Sequence, residues 1–187
     1  MIWLLSVVLL IFSNKDFPDK SEVLVAEFAG YENFFPLATL DLRDRGIKDK
    51  IHIIYVSFNY SGPWDDPNFP DGEDMDHFTF KIEKGGLYRP TFDKKALVIE
   101  PGYQPFFDQG KEIYAKVKSE SQSISARLKM RSRPHWLQND ATPFNSKNEP
   151  YTFICQFEME GLFFDDSWIF VFYDKADRQV KYVHQRT

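Results

Sequence analysis

The stretch that most limits what this chain can fold into lies near its C-terminal end, where Trp168-Ile-Phe-Val-Phe-Tyr173 is apolar or aromatic at every position. Side chains alternate between the two faces of a strand. A strand without a polar face therefore needs cover on both sides, which places it in the middle of a layered structure. Val180 to Gln185, across the DKADRQ loop, pairs back on it as the last hairpin strand, and Phe153 to Glu158 supplies a strand before it. At 187 residues the chain fits one domain, 14–187, and its 19 phenylalanines predict broad sheet surfaces packed with rings.

Upstream, KIHIIYVSFNY is β-branched and apolar on both alternating faces, the pattern of a central strand covered on both sides. From His77 to Glu83 the alternation is strict, with Phe78, Phe80 and Ile82 on one face and Thr79, Lys81 and Glu83 on the other. That predicts a half-buried strand. EVLVAEFAGY and KALVIE read as further strands, and FFPLATLDLRDRGIKDK as a strand or a short helix closed near Gly46. In KEIYAKVKSESQSISARLKMR, pairing about the SESQ turn sets Val117 opposite Ile124, Ala115 opposite Ala126 and Ile113 opposite Leu128. One hairpin register then satisfies each apolar position. Its other face carries Lys116, Lys118, Lys129 and Arg131, a basic surface on an acidic protein and a candidate partner site. The expected fold is mainly β, an antiparallel sheet or roll built of hairpins with one or two short helices.

The segment PWDDPNFPDGEDMD holds six carboxylates and no base, and its prolines and glycine predict a loop. Carboxylate oxygens suit hard cations, so Asp71, Glu73, Asp74 and Asp76 are the metal candidates. No EF-hand frame fits them, and a solvated loop is the competing reading. His52, His77, His135 and His184 are scattered, with no two at ligand spacing. Cys155 alternates with Phe153 and reads as a buried, inert thiol; pairing it with His184 on a neighbouring strand is the weaker alternative. No GxSxG, P-loop, HExxH or GxGxxG motif is present, so the sequence names no catalytic residue and no cofactor. Asp165 or Asp166 with the acidic loop could form the two-carboxylate pair of a glycosidase only at a suitable separation in space.

Pro134, Trp136, Gln138, Asp140 and Pro143 are followed by Phe153-Ile-Cys-Gln156, Gly161 and the FFDDSWIFVFYD run. In this order they resemble the C-terminal unit of the YwqG-like family, a domain of unknown function. Members carry G-G-x-P-x-W-x-Q-x-x-x-x-P, then an F-x-x-Q strand and an aromatic strand after an acidic turn. The resemblance covers the last third of the chain and implies a β-rich, roll-like fold without assigning an activity. Ser132 and Arg133 replace the glycine pair, and the cysteines some members carry before the F-x-x-Q strand are absent. Trp136, Gln138 and Gln156 are the candidate binding residues of this unit; the alternative is that the amides tie a loop to strand backbone, since buried amides must be paired.

The N-terminal run IWLLSVVLLIFS is shorter than the roughly 20 residues of a membrane-spanning helix. Residues 1–13 read as a signal-peptide core, implying export to the periplasm, or as a buried first strand in a cytoplasmic protein. A formal charge of −5 counts against a nucleic-acid partner. The expectation is a non-catalytic binding or interaction module for another protein, of immunity type, that blocks a toxin by covering its surface. The alternative is an envelope hydrolase using the acidic loop with a divalent cation.

Overall fold

A computed structural model describes residues 15–58, 77–120, 123–163 and 167–186. Three strands, β1 (Lys15–Asp16), β2 (Phe34–Leu40) and β3 (Ile51–Val56), form one antiparallel sheet in the order β1-β2-β3. A second antiparallel sheet takes β4 (His77–Ile82), β5 (Tyr88–Pro90), β6 (Leu128–Lys129), β7 (Thr152–Glu158), β8 (Ser167–Asp174) and β9 (Gln179–Arg186). Their order is β5-β4-β9-β8-β7-β6. Helices α1 (Lys20–Val23), α2 (Ala26–Ala29) and α3 (Gln104–Ser119) complete a mainly β structure.

The aromatic run forms β8, inside the larger sheet between β7 and β9. Its Ile169, Val171 and Tyr173 join the main core, while Phe170 and Phe172 face the other way and pack with Tyr151 and Val183 in a second cluster. Both faces are covered, as an all-apolar strand requires. On β4, Phe78, Phe80 and Ile82 enter the main core as the alternation predicts, and Thr79 is also buried.

β3 is buried at every position, but it lies at the edge of its sheet rather than at the centre. Two tyrosines from the larger sheet take up its outward backbone groups. The His52 N–H donates to the Tyr88 hydroxyl (2.9 Å), and the Tyr182 hydroxyl donates to the His52 carbonyl (2.6 Å). These buried contacts join the two sheets and satisfy groups that would otherwise be costly to desolvate. Pro36 sits in β2 at an irregularity in the pairing with β3, where a missing N–H is tolerated, and its carbonyl accepts from the Tyr114 hydroxyl (2.7 Å).

Three segments expected to be strands take other forms. The proposed hairpin over 111–131 is instead the end of α3 followed by a 3-10 turn and the short β6. Phe107, Gly110 and Val117 are buried on one side of α3, with Ile113 and Tyr114 packed against the core. That is helical spacing once the segment is read from Phe107 rather than from Lys111. Ala115, an inward position of the hairpin, is exposed. EVLVAEFAGY forms α1 and α2 instead of a strand. At its start, the Glu22 carboxylate accepts the Asp19 backbone N–H (2.8 Å), half of a capping box. KALVIE begins as a 3-10 turn, Lys94–Leu97, whose Lys95 N–H donates to the Asp93 carboxylate (2.8 Å). Among the described residues, no helix is long and apolar enough to cross a membrane.

Candidate functional site

Of the residues singled out in the sequence, Trp136, Gln138 and Gln156 do come together. The chain over 131–151 crosses the outer face of the larger sheet as a strap, and Trp136 packs at a tilt on Phe170 (4.6 Å between centroids, 32°) and stacks on Phe172 (5.8 Å, 17°). Gln156, fully buried on β7, accepts the His135 N–H (2.9 Å). Gln138 donates to the Arg186 carbonyl (3.1 Å). Gln185 on β9, which sequence reasoning missed, accepts the Leu137 and Gln138 N–H groups (2.9 and 3.1 Å) and donates to the Asn139 carbonyl (2.7 Å). Its signal was available, because Gln185 is a polar side chain on the same outward alternation as Val183. These amides fasten a loop to a sheet, and among their buried atoms Gln156 Nε2 is left without a partner.

The lysine candidates do not share a face. Lys116 and Lys118 stand two residues apart on α3, about 200° around the helix, and Lys118 pairs with Asp19 (3.2 Å). Lys129 on β6 donates to the Ala126 carbonyl (2.7 Å). The basic hairpin surface is thus replaced by three separated cations. Asp71, Glu73, Asp74 and Asp76 lie outside the described residues, as do Asp165, Asp166 and residues 1–13. Among the described residues, no group of three or more His, Cys, Asp or Glu side chains could hold a metal ion.

The proposed Cys155–His184 pair is separated by β8, which runs between β7 and β9. Burial raises the Cys155 thiol far above its ordinary value, leaving it protonated and unreactive. Burial also pushes His184 down to about 3, and its Nε2 has no hydrogen-bond partner. His52 is lowered to about 4, chiefly by burial; its Nδ1 accepts from Thr39 Oγ1 (2.9 Å) and its Nε2 donates to the Gly86 carbonyl (3.1 Å). Both imidazoles are neutral parts of the interior near neutral pH.

Among the described residues, an aromatic cleft lies between α3 and the end of the smaller sheet. Phe35 from β2, Tyr55 from β3 and Phe58 just beyond it form one wall, Tyr103, Phe106 and Phe107 from the start of α3 the other, and Phe163 the floor. The Phe163 ring lies 4.1 Å from Tyr55 and 4.9 Å, edge-on, from Phe35. Gly110 lets the Phe163 ring lie close against α3, since a Cβ there would stand 3.3 Å from Phe163 Cδ1. The cleft encloses about 80 Å³. A more open groove of about 460 Å³ adjoins it through shared Ile99 and Phe107, and Glu27, Glu32, Asn33 and Gln104 edge it. Phe106 on the rim is 60% exposed and nearby Val98 is 64% exposed.

Chemically, the cleft offers ring faces, a hydroxyl from Ser57 and little charge. Glu27 is engaged by Arg89 (2.6 Å) and by Lys94, and Glu32 by Lys111 (2.7 Å). Sequence reasoning could not find this site, because its walls come from positions as far apart as Phe35 and Phe163. In comparisons with known proteins, no family model matches the chain, and neither the curated proteins nor the solved structures searched gave a match.

Proposed function

We propose that this chain is a non-catalytic binding module, YwqG-like in its C-terminal third, that takes an apolar side chain of a protein partner into the aromatic cleft. In its specific form the module is of immunity type and blocks a toxin by covering its surface. The observation that carries the reading is the cleft itself: rings on both walls, an exposed Phe106 on its rim, and about 80 Å³ of enclosed space. Small-molecule pockets run to roughly 300–1,000 Å³; the enclosed cleft is smaller and suits one inserted side chain, and the adjoining open groove of about 460 Å³ suits the segment that carries it. Burying such a side chain contributes about 1.5–3 kcal/mol, and aromatic rims of this kind act as anchors in protein interfaces.

Selection of displayed random peptides against the folded protein tests the reading. The expected result is enrichment of peptides sharing one large apolar residue, with binding lost in Phe106→Asp and the melting temperature kept. Selected peptides that bind Phe106→Asp as well as the parent would remove the cleft from the proposal.

A further inference from the structure

We propose that the turn over 129–135, where the chain rounds the edge of the larger sheet, docks an acidic segment of another protein, whose carboxylates are received by Arg131 and Arg133. This extends the binding reading to a second surface and does not draw on the cleft.

One residue holds both ends of the turn. Lys129 on β6 stands opposite Gln156 in the pairing with β7, and six residues later the His135 N–H donates to the Gln156 side chain (2.9 Å). The chain therefore leaves the sheet at Gln156, rounds its edge and returns over the same position. β6 ends the strand order, so the turn lies on the outside of the sheet. Leu128 and Met130 pack against the main core, and the alternation of an extended chain sends Lys129 and Arg131 the other way. Arg131, Arg133 and His135 are exposed. Gln156 Nε2, on the amide that holds the turn, is buried without an acceptor.

Residues 127–139 carry four positive charges, from Arg127, Lys129, Arg131 and Arg133, and no carboxylate. Taking those four away from a formal charge of −5 leaves the remainder of the chain at −9. Elsewhere cations are matched within the fold, Arg89 by Glu27 (2.6 Å), Lys111 by Glu32 (2.7 Å) and Arg178 by Asp49 (2.8 Å). At the turn they are not. Arg127 donates to the Glu160 carbonyl and Lys129 to the Ala126 carbonyl (2.7 Å), neither of them a charged group. Among the described residues, Arg131 and Arg133 form no ion pair. The carboxylates of Glu158 at the end of β7 and of Glu160 beyond it reduce the four charges to an excess of two.

An unmatched guanidinium presents a planar fork of N–H donors that fits a carboxylate through two parallel bonds. The sign of the rest of the chain limits what docks here. An extended polyanion such as a nucleic acid meets the remaining −9 as well as the turn, whereas a short acidic segment meets only the local excess.

The test uses fluorescein-labelled synthetic peptides of equal length, one with Glu alternating with Ser and one with Lys alternating with Ser. A single-stranded oligothymidylate carries the same charge as the acidic peptide. Binding to the full chain is read by fluorescence polarisation. The acidic peptide is expected to bind most tightly, and to weaken as salt rises towards ~0.3 M. Arg131→Glu together with Arg133→Glu should weaken it about tenfold or more and leave the melting temperature unchanged. Arg131→Lys together with Arg133→Lys keeps the charge and removes the fork, and should fall between the two.

No binding of the acidic peptide at ~0.05 M salt, or equal binding by the parent and the charge-reversed chain, would overturn the proposal and leave the cleft reading standing. The turn would then be a charged edge that keeps foreign strands from adding. Tighter binding of the oligonucleotide than of the acidic peptide would assign the turn to nucleic acid and overturn the acidic protein partner. Loss of the acidic peptide in Phe106→Ala, with retention in the charge-reversed chain, would move the capture to the cleft and overturn the proposal likewise.

Discussion

On the strap side of the larger sheet, Trp136 covers Phe170 and Phe172, and the amides of Gln156, Gln138 and Gln185 tie the covering loop to the strands beneath. On the helix side, Phe107 and Phe163 are buried but Phe106 stands 60% exposed, and the rings line a cleft. Both sides are rich in aromatic surface. They differ, among the described residues, in how the rings are covered. Over Phe170 and Phe172, polar groups fix a strap in register; at the cleft, Phe106 keeps most of its surface exposed. An exposed ring on the rim of a cleft, beside a fully covered face, is better evidence of binding than composition alone.

The largest expected effect breaks the comparison from inside, at the histidines between the sheets. Burial holds His52 at about 4 and His184 at about 3, while in the unfolded chain both titrate near 6.5. Above 6.5 they are neutral in both states and contribute no pH dependence. As pH falls below 6.5 the unfolded chain binds the protons first, and each histidine removes about 1.4 kcal/mol per pH unit until its folded value is reached. At pH 5 the pair costs about 4 kcal/mol. Urea melts between pH 7 and 5 measure this, and His184→Gln should halve the slope; a flat profile would mean that the interior accommodates the charged rings.

Next comes Trp136→Ala, which uncovers Phe170 and Phe172 and should cost about 2–4 kcal/mol in urea denaturation. A loss under about 1 kcal/mol would show that the strap is not held by its ring. Gln185→Ala should cost about 1–3 kcal/mol, because the Leu137 and Gln138 N–H groups lose their acceptor. Hydrogen exchange should localise that loss to the strap. Phe106→Ala should change stability by no more than about 0.5 kcal/mol while abolishing capture of apolar-anchored peptides. If Phe106→Ala proved as destabilising as Trp136→Ala, the two sides would be alike and the contrast would fail.

The parts of this organisation legible in the sequence are those whose signal is local. β8 was readable because it is apolar on both faces, and β4 because Phe78, Phe80 and Ile82 alternate without interruption. Trp136, Gln138 and Gln156 were readable as a group, and the structure gives the amides the loop-fastening role. α3 was misread because Ile113, Ala115 and Val117 also alternate with period two, and only Phe107 and Gly110 reveal the helical spacing. The short helices α1 and α2 escaped because Val23, Leu24 and Val25 have the composition of a strand, although Asp19 and Glu22 stand at capping-box spacing. The cleft could not be read at all, since nothing in the local pattern places Tyr55 against Phe163.

The two hydroxyls that meet the edge of β3 bear on how this protein keeps from adhering to itself. A chain that displays rings on one side runs a risk if it also displays an open strand edge, because a neighbour can add a strand there and begin aggregation. Tyr88 and Tyr182 deny that template by occupying the backbone groups of His52. Phenylalanine at either position would keep the ring over the edge but leave a backbone group of His52 buried without that partner. The expected phenotype of Tyr182→Phe is therefore a lower melting temperature, with light scattering on storage arising as local opening bares the edge.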